Sequence, residues 1–395
     1  MDASLVCHDQ FQSIMKPPMH SAITLASICL LSFLAGCNKN SSEYSVDKTC
    51  KIVINPQFFA VEEFKEGFAA IKIGDSLSTK QGFVDLKGKM LIAPRFDKVH
   101  EFSEGFAAVK IGDETDGKYG FIDKSGKMVI KPQFIFVGDF LEGLALMRDG
   151  DEFTGKYGFI DKRGKVAVTP KFDAENGFKE GLAAMRVGDA ISGKWGFIDK
   201  QGVYAIAPQF DLVGDFSEGL APIRMGSEKA GKWGFIDKQG KVVISLQFDY
   251  AEPFNNGLAV IRIGDKYKGK WGVIDKQGKM VINPEFNDKC RFSEGLACVK
   301  IGEGNKGKYG FIDKQGKVVI TQKFDLTGDF SEGLAAVRIG DTATGKWGFI
   351  DKQGKMVINP QFDAVGNFSQ GLAPVIIGNG ETGKWGFISK EHEPL

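Results

Sequence analysis

Eight times in this chain a lysine, an aromatic residue and a glycine stand together, and five of the aromatics are tryptophan: Trp195, Trp233, Trp271, Trp347 and Trp385. Two uses are open for such a row. Flat rings at equal intervals stack on sugar rings, which would make a glycan-binding surface. Rings at equivalent places beside Phe and Ile also fill a core. The rest of the sequence offers little chemistry. Of the four histidines, His8 and His20 fall in the N-terminal leader. His100 and His392 are far apart in sequence, a poor basis for a metal or acid–base site. There is no nucleophile elbow and no phosphate loop. Recurring carboxylates such as Asp199 and Glu218 lack the dense spacing of a Ca²⁺ loop, so a turn-bonding role is favoured for them. The expectation is a chain with no catalytic residue, no metal and no cofactor: not an enzyme.

The elements that position these residues repeat. The Lys-aromatic-Gly triplets begin at Lys118, Lys156, Lys194, Lys232, Lys270, Lys308, Lys346 and Lys384, a period of 38 with no insertion. Lys80-Gln81-Gly82 is a degenerate first copy. Such an array is a scaffold architecture. Within residues 333–370, Leu334 to Ile339 reads as a strand, Asp341 to Gly345 as a loop and Lys346 to Asp351 as a second strand. Gln353-Gly354 reads as a tight turn and Lys355 to Ile358 as a third strand. Pro360 is expected to end that third strand, because it has no N–H to donate. Residues 362–368 supply a short fourth strand or an ordered bend. No segment keeps a period of 3.6, so the fold is read as all-β with almost no helix outside the leader.

Comparison between copies sharpens the roles. The positions from Phe58 to Phe362 are all Phe, as are those from Phe64 to Phe368, and Gly67 to Gly371 are all Gly. The Phe positions imply equivalent core pockets, each worth about 1.5–3 kcal/mol per buried ring. The recurring Gly implies a backbone conformation other residues avoid. Asp85 to Asp351 is expected to hydrogen-bond the turn that follows it. The lysine before each aromatic covers the core with its stem and keeps its charge in water. The loops Asp113–Gly117, Asp189–Gly193 and Asp341–Gly345 vary and are where specificity would reside.

The unit Lys-Trp-Gly-Phe-Ile-Asp-Lys-Gln-Gly-Lys-Val-Val-Ile, then Pro-x-Phe-Asp and Phe-Ser-Glu-Gly-Leu-Ala, resembles the bacterial WG-containing, or KWG, repeat. The resemblance covers about residues 45–390. It implies an all-β repeat protein without assigned enzymatic activity. Gln81 departs from the pattern at the aromatic, and Leu246 and Gln322 at the proline. The array begins and ends within a unit, and its two ends together make one whole unit. Lys48 to Ser389 then spans nine periods. Sharing a unit between the termini closes a ring, as in propellers, so a propeller-like ring is favoured over an open β-solenoid.

The N-terminus carries an address. Residues 22–35 form an apolar run too short to span a bilayer and suited to a signal-peptide core. Met15 is an alternative start. Leu34-Ala35-Gly36-Cys37, followed by a polar stretch, resembles a bacterial lipobox. That resemblance implies cleavage before Cys37 and its diacylation. Expected boundaries are 1–36 for the signal peptide, 37–45 for a lipid-attached tether, 46–390 for the repeat domain and 391–395 for a tail. The protein is expected in the bacterial cell envelope, at the outer membrane if the host has two membranes. Cys290 and Cys298 flank a hairpin turn symmetrically and would suit a disulfide in an oxidising compartment; two unlinked small core residues is the other reading.

Net charge is +1, with 51 basic and 50 acidic side chains, so nothing in the charge points to nucleic acid or to an anionic membrane surface. Two functions fit. One is a lipid-anchored scaffold for an envelope protein partner. The other is a cell-wall glycan binder using the repeated Trp and Tyr positions.

Overall fold

The computed structural model describes residues 46–75, 78–151, 154–289, 291–301, 307–341, 343–378 and 383–390. They form nine four-stranded antiparallel sheets. The chain opens with β1 (Cys50–Phe58), and the first complete sheet is β2 (Ala60–Val61), β3 (Phe68–Gly74), β4 (Thr79–Asp85) and β5 (Met90–Phe96), paired in that order. Call this blade 1. Blades 2 to 8 repeat it. Blade 9 is made from Ala364–Val365, Leu372–Ile377, Lys384–Lys390 and, as its fourth strand, β1. Cys50 pairs with Lys390 and Phe58 with Trp385. The two ends of the array therefore share one sheet, and the molecule is a nine-bladed β-propeller, a closed ring rather than a solenoid.

Local sequence explains the strands. The fourth strands alternate exposed and buried residues, as in Val242–Phe248, where Ile244 and Phe248 are buried and Val242 and Val243 exposed. This is the pattern of an outer rim strand with one wet face. Each turn after the third strand is fixed by its Asp: Asp85 Oδ1 accepts the N–H groups of Lys87 and Lys89 at 2.9 and 2.8 Å, and Asp351 repeats this with Gln353 and Lys355. The first and second strands of each blade join through a two-residue hairpin with positive φ at both positions, such as Glu66 at 53° and Gly67 at 89°.

The expected end of the strand at Pro360 is corrected. The strand Met356–Phe362 runs through it. Phe349 pairs with Ile358 and Trp347 with Phe362, so two residues on one strand face four on the other. Pro360 sits in that bulge, where no ladder N–H is needed. The bulge presses onto the glycine of the Trp-Gly pair: a Cβ on Gly348 would stand 2.7 Å from Pro360 N. These glycines are strand residues, not turn residues. They are glycine because the neighbouring backbone occupies the side-chain space.

The core lies between blades. Nine clusters of buried side chains each span one seam between neighbours; one joins Trp195, Phe197 and Phe210 of blade 4 to Val213, Phe216 and Ile223 of blade 5. Three contacts recur there. The first is an aromatic pair, such as Phe83 with Phe102 and Phe235 with Phe254, ring centroids 4.9 and 4.8 Å apart. The second is a side-chain bond from one blade to the next blade's Phe carbonyl, as from Ser103 to Phe140 (2.7 Å) and Ser331 to Phe368 (2.7 Å). The third is a clamp at the inner hairpins. Glu218 accepts the N–H of Gly257 at 3.0 Å and meets the Lys276 ammonium at 2.9 Å. The clamp also explains how glutamate is held at positive φ, a strained conformation for it: the charged hydrogen bonds offset the strain.

Candidate interaction face

The hairpin clamps occupy one face of the ring. The other face carries the loops between second and third strands. Glycines open and close most of these loops; in blade 1 Gly74 opens the loop and Thr79 closes it. Gly188 has φ 97°, and a Cβ on Gly193 would lie 2.7 Å from Gly188 O. Gly193 N–H donates to Asp189 O at 3.0 Å. Inside the loop an aspartate side chain sets the backbone: Asp189 accepts the N–H groups of Ile191 and Ser192 at 2.7 and 2.8 Å, and Asp265 accepts those of Tyr267 and Lys268, both at 2.8 Å. The Ser192 hydroxyl and these N–H groups lower the Asp189 carboxyl to about 2. The loops are thus held turns, not slack connections.

What they hold up is exposed. Ile191 is 99% and Tyr267 90% exposed. Both stand three residues after the opening glycine. The same place holds Thr115, Lys229 and Ala343 in other blades. A large apolar side chain left in water adds nothing to folding and gains free energy only when a partner covers it. Beneath the loops the lysines of the repeat do more than shield the core. Lys80 reaches Asp97 at 2.6 Å and Lys232 reaches Asp249 at 2.6 Å, while Gly112 and Gly264 N–H groups bond the other carboxylate oxygens at 2.9 and 2.8 Å. This second set of clamps ties one blade, the linker and the next blade's loop together.

The tryptophan row is placed differently from a sugar-stacking surface. Trp195, Trp233, Trp347 and Trp385 are buried at 9, 5, 4 and 7% exposure, and Trp271 is partly buried against its seam cluster. They lie on third strands, inside the sheet, with the neighbouring blade over them. One neighbour is an arginine directly across the ladder: Arg186 opposes Trp195 and Arg262 opposes Trp271, guanidinium carbons 5.9 and 5.4 Å from the ring centres. Of the two uses open for the row, core packing is the one these buried positions fit. The signal in the sequence was the basic residue nine positions before most of the aromatics, which reads as a cross-strand partner only once the hairpin is known.

Sequence variation marks the loops but carries no signal for which apex residue stands exposed. His100 pairs with Asp139 at 2.9 Å across the seam between blades 2 and 3. Cys298 lies on the second strand of blade 7, opposite Phe311; Cys290 and the lipidation residue Cys37 lie outside the described residues, and so does the disulfide expected of Cys290 and Cys298.

The chain matches the family described as WG containing repeat, over residues 46–75, 82–114, 119–153, 157–189, 195–228, 233–267, 271–305, 309–342 and 347–385. No curated protein matches it. Among solved structures it is similar to the tricorn protease, at 11% identity and a TM-score of 0.31, covering 82% of this chain and 42% of that one. It is also similar to an acylaminoacyl peptidase of Pyrococcus horikoshii, at 10% identity and a TM-score of 0.40, covering 83% of this chain and 57% of that one. TolB from Acinetobacter baumannii matches at 9% and 0.30, covering 65% and 77%. The chain spans under half the length of the tricorn protease and little more than half that of the acylaminoacyl peptidase.

Proposed function

The chain belongs to the WG-containing repeat family, and from that premise we propose that it is a non-enzymatic scaffold, lipid-anchored at Cys37 in the cell envelope, that binds a protein partner through its loop face. One observation carries the reading: Ile191 and Tyr267 stand almost fully exposed on turns that hydrogen bonds hold rigid. A rigid apolar or aromatic side chain loses little entropy on contact and is the usual anchor of a protein interface. The seams, by contrast, are consumed by contacts within the ring. The N-terminal segment reaches the ring at its rim, where Asp47 N–H donates to Gln361 at 2.9 Å, so a tether there leaves the loop face clear.

A photo-crosslinking residue at position 191 or 267, in cells, should trap one discrete partner. The same residue at exposed rim positions 243 and 319 should not. Equal trapping at loop and rim would overturn the reading. Saturable binding of the soluble domain to purified cell-wall sacculi, lost on changing Tyr267, would replace the protein partner with a glycan.

A further inference from the structure

The nine seams are not equal. Eight carry the aromatic pair, with centroids 4.7–4.9 Å apart: Phe64 with Phe387, Phe83 with Phe102, Phe121 with Phe140, and so on around the ring. At the seam between blades 6 and 7, Val273 stands where the first ring of the pair should be, facing Phe292. The clamp also fails there. At the other eight seams a glutamate or Gln370 accepts the next blade's glycine N–H. Here the residue is Asn256, too short to cross. Its amide donates instead to Asn255 in its own turn at 2.8 Å, and Lys314 reaches only the Asn256 carbonyl at 3.4 Å.

Two more differences fall at the same place. On the loop face the linker aspartate is Asn287, so the Lys270 ammonium there meets an uncharged amide oxygen instead of a carboxylate. The first strand of blade 7 is only Phe292–Ser293, at the hairpin end. Among the described residues Val299 pairs with Gly310 of the third strand but with no first-strand residue, where blade 1 pairs Val61 with Ile71 and blade 9 pairs Val365 with Val375. Two polar contacts stand beside the apolar cluster of this seam. Lys289 of blade 7 forms an ion pair with Glu252 of blade 6, both about four-fifths buried, and Asn255 donates to the Phe292 carbonyl at a long 3.3 Å.

The joint between the chain's two ends is built the other way. It has the Phe64–Phe387 pair, a 2.5 Å bond from Ser369 to the Phe64 carbonyl, the Gln370–Gly67 bond at 2.8 Å, the bond from Asn367 N–H to Glu63 at 2.8 Å, and the ladder of β1.

We propose that the ring opens at the seam between blades 6 and 7, and that this seam, not the joint of the termini, is its built-in gate. The lost aromatic pair removes stabilisation that the other eight seams keep, and the lost clamp removes a hydrogen bond that seven of them make to a glutamate and the terminal joint makes to Gln370. Because blades contact chiefly their neighbours, the deficit stays local, and local opening follows the least stable unit. An opened seam exposes Val273, Ile282 and Phe292 while leaving each sheet intact.

Thiol labelling of the full-length protein under native conditions tests this, with the labelled residue located by peptide mass. Cysteine replaces a fully buried valine at four seams: Val84→Cys at the terminal joint, Val109→Cys between blades 1 and 2, Val273→Cys, and Val337→Cys between blades 7 and 8. Val273→Cys should label at least tenfold faster than the other three. Adding Asn256→Glu, which restores a carboxylate for Gly295 and Lys314, should slow that labelling about fivefold and leave Val84→Cys unchanged. Glu252→Gln should speed it. Equal rates at all four seams would mean opening only by global unfolding and would sink the proposal. Faster labelling at Val84→Cys would sink it too, by placing the gate at the termini. Circular dichroism confirms that each variant is folded.

Discussion

The Gln370 side chain accepts the N–H of Gly67 at 2.8 Å, across 303 residues of sequence. It does for the ring's joint what glutamate does at seven other seams. Leu86 stands where the clamp lysine of later blades would meet it, so both charges are absent from this one clamp together. Gln370→Ala should cost about 1 kcal/mol by chemical denaturation. Glu218→Ala should cost more, because it strands both Gly257 and Lys276. A Gln370→Ala protein as stable as the parent would show that β1 alone closes the ring.

The two classes of glycine should respond differently to alanine. At Gly234 an added Cβ would stand 2.5 Å from Ile244 O, against backbone that cannot move aside, and Gly234→Ala should cost more than about 2 kcal/mol. At Gly219 no atom lies near the new Cβ, and the cost is the φ of 85°, about 1 kcal/mol. Thermal unfolding of the two proteins ranks them, and a reversed order would contradict the bulge explanation.

Trp233→Ala should remove about 3–5 kcal/mol, since the ring is 5% exposed within a seam cluster. Ile191→Ala should change stability by less than about 0.5 kcal/mol. Partner crosslinking should follow the opposite order. A folded, stable Trp233→Ala protein that lost ligand would restore the tryptophan row as a binding surface.

Acid should weaken the ring. At Glu66, Glu180, Glu218 and Glu294, burial pushes the carboxyl up, but the lysine and glycine N–H bonds together outweigh it and hold each below 4.5. Their stabilisation is present above 4.5 and is lost as pH falls through the lowered values. Glu62 and Asp215 behave oppositely: burial raises both, so their charged forms cost stability as pH rises through the raised values. Asp215→Asn should therefore stabilise the protein at pH 7 and lose that advantage in acid. Unfolding curves between pH 3 and 7 would show a destabilising Asp215→Asn if the bond to Asn176 at 2.9 Å matters more than the burial.

The sequence by itself determined the period, the strands, the turn aspartates and the sharing of a unit by the two ends, because each of these rests on residues close in the chain or on exact spacing. Hydrophobic alternation marked Ile244 and Phe248, and Asp85 announced its own turn. The role of Pro360 was not legible, because a bulge is defined by the register of two strands rather than by one. Nor was the choice between the two uses of Trp233, whose ring is buried in its seam against Tyr250 of the next blade. The seams belong wholly to the tertiary structure. Phe235 meets Phe254, Glu218 meets Gly257 and Lys276, and Gln370 meets Gly67, each pair joined only after whole blades have folded and stacked. Local rules act between neighbours in the chain, whereas burial depends on which surfaces the closed ring brings together. That is also why Val273 and Asn256 read as ordinary variation in a repeat until the ring places both at one seam.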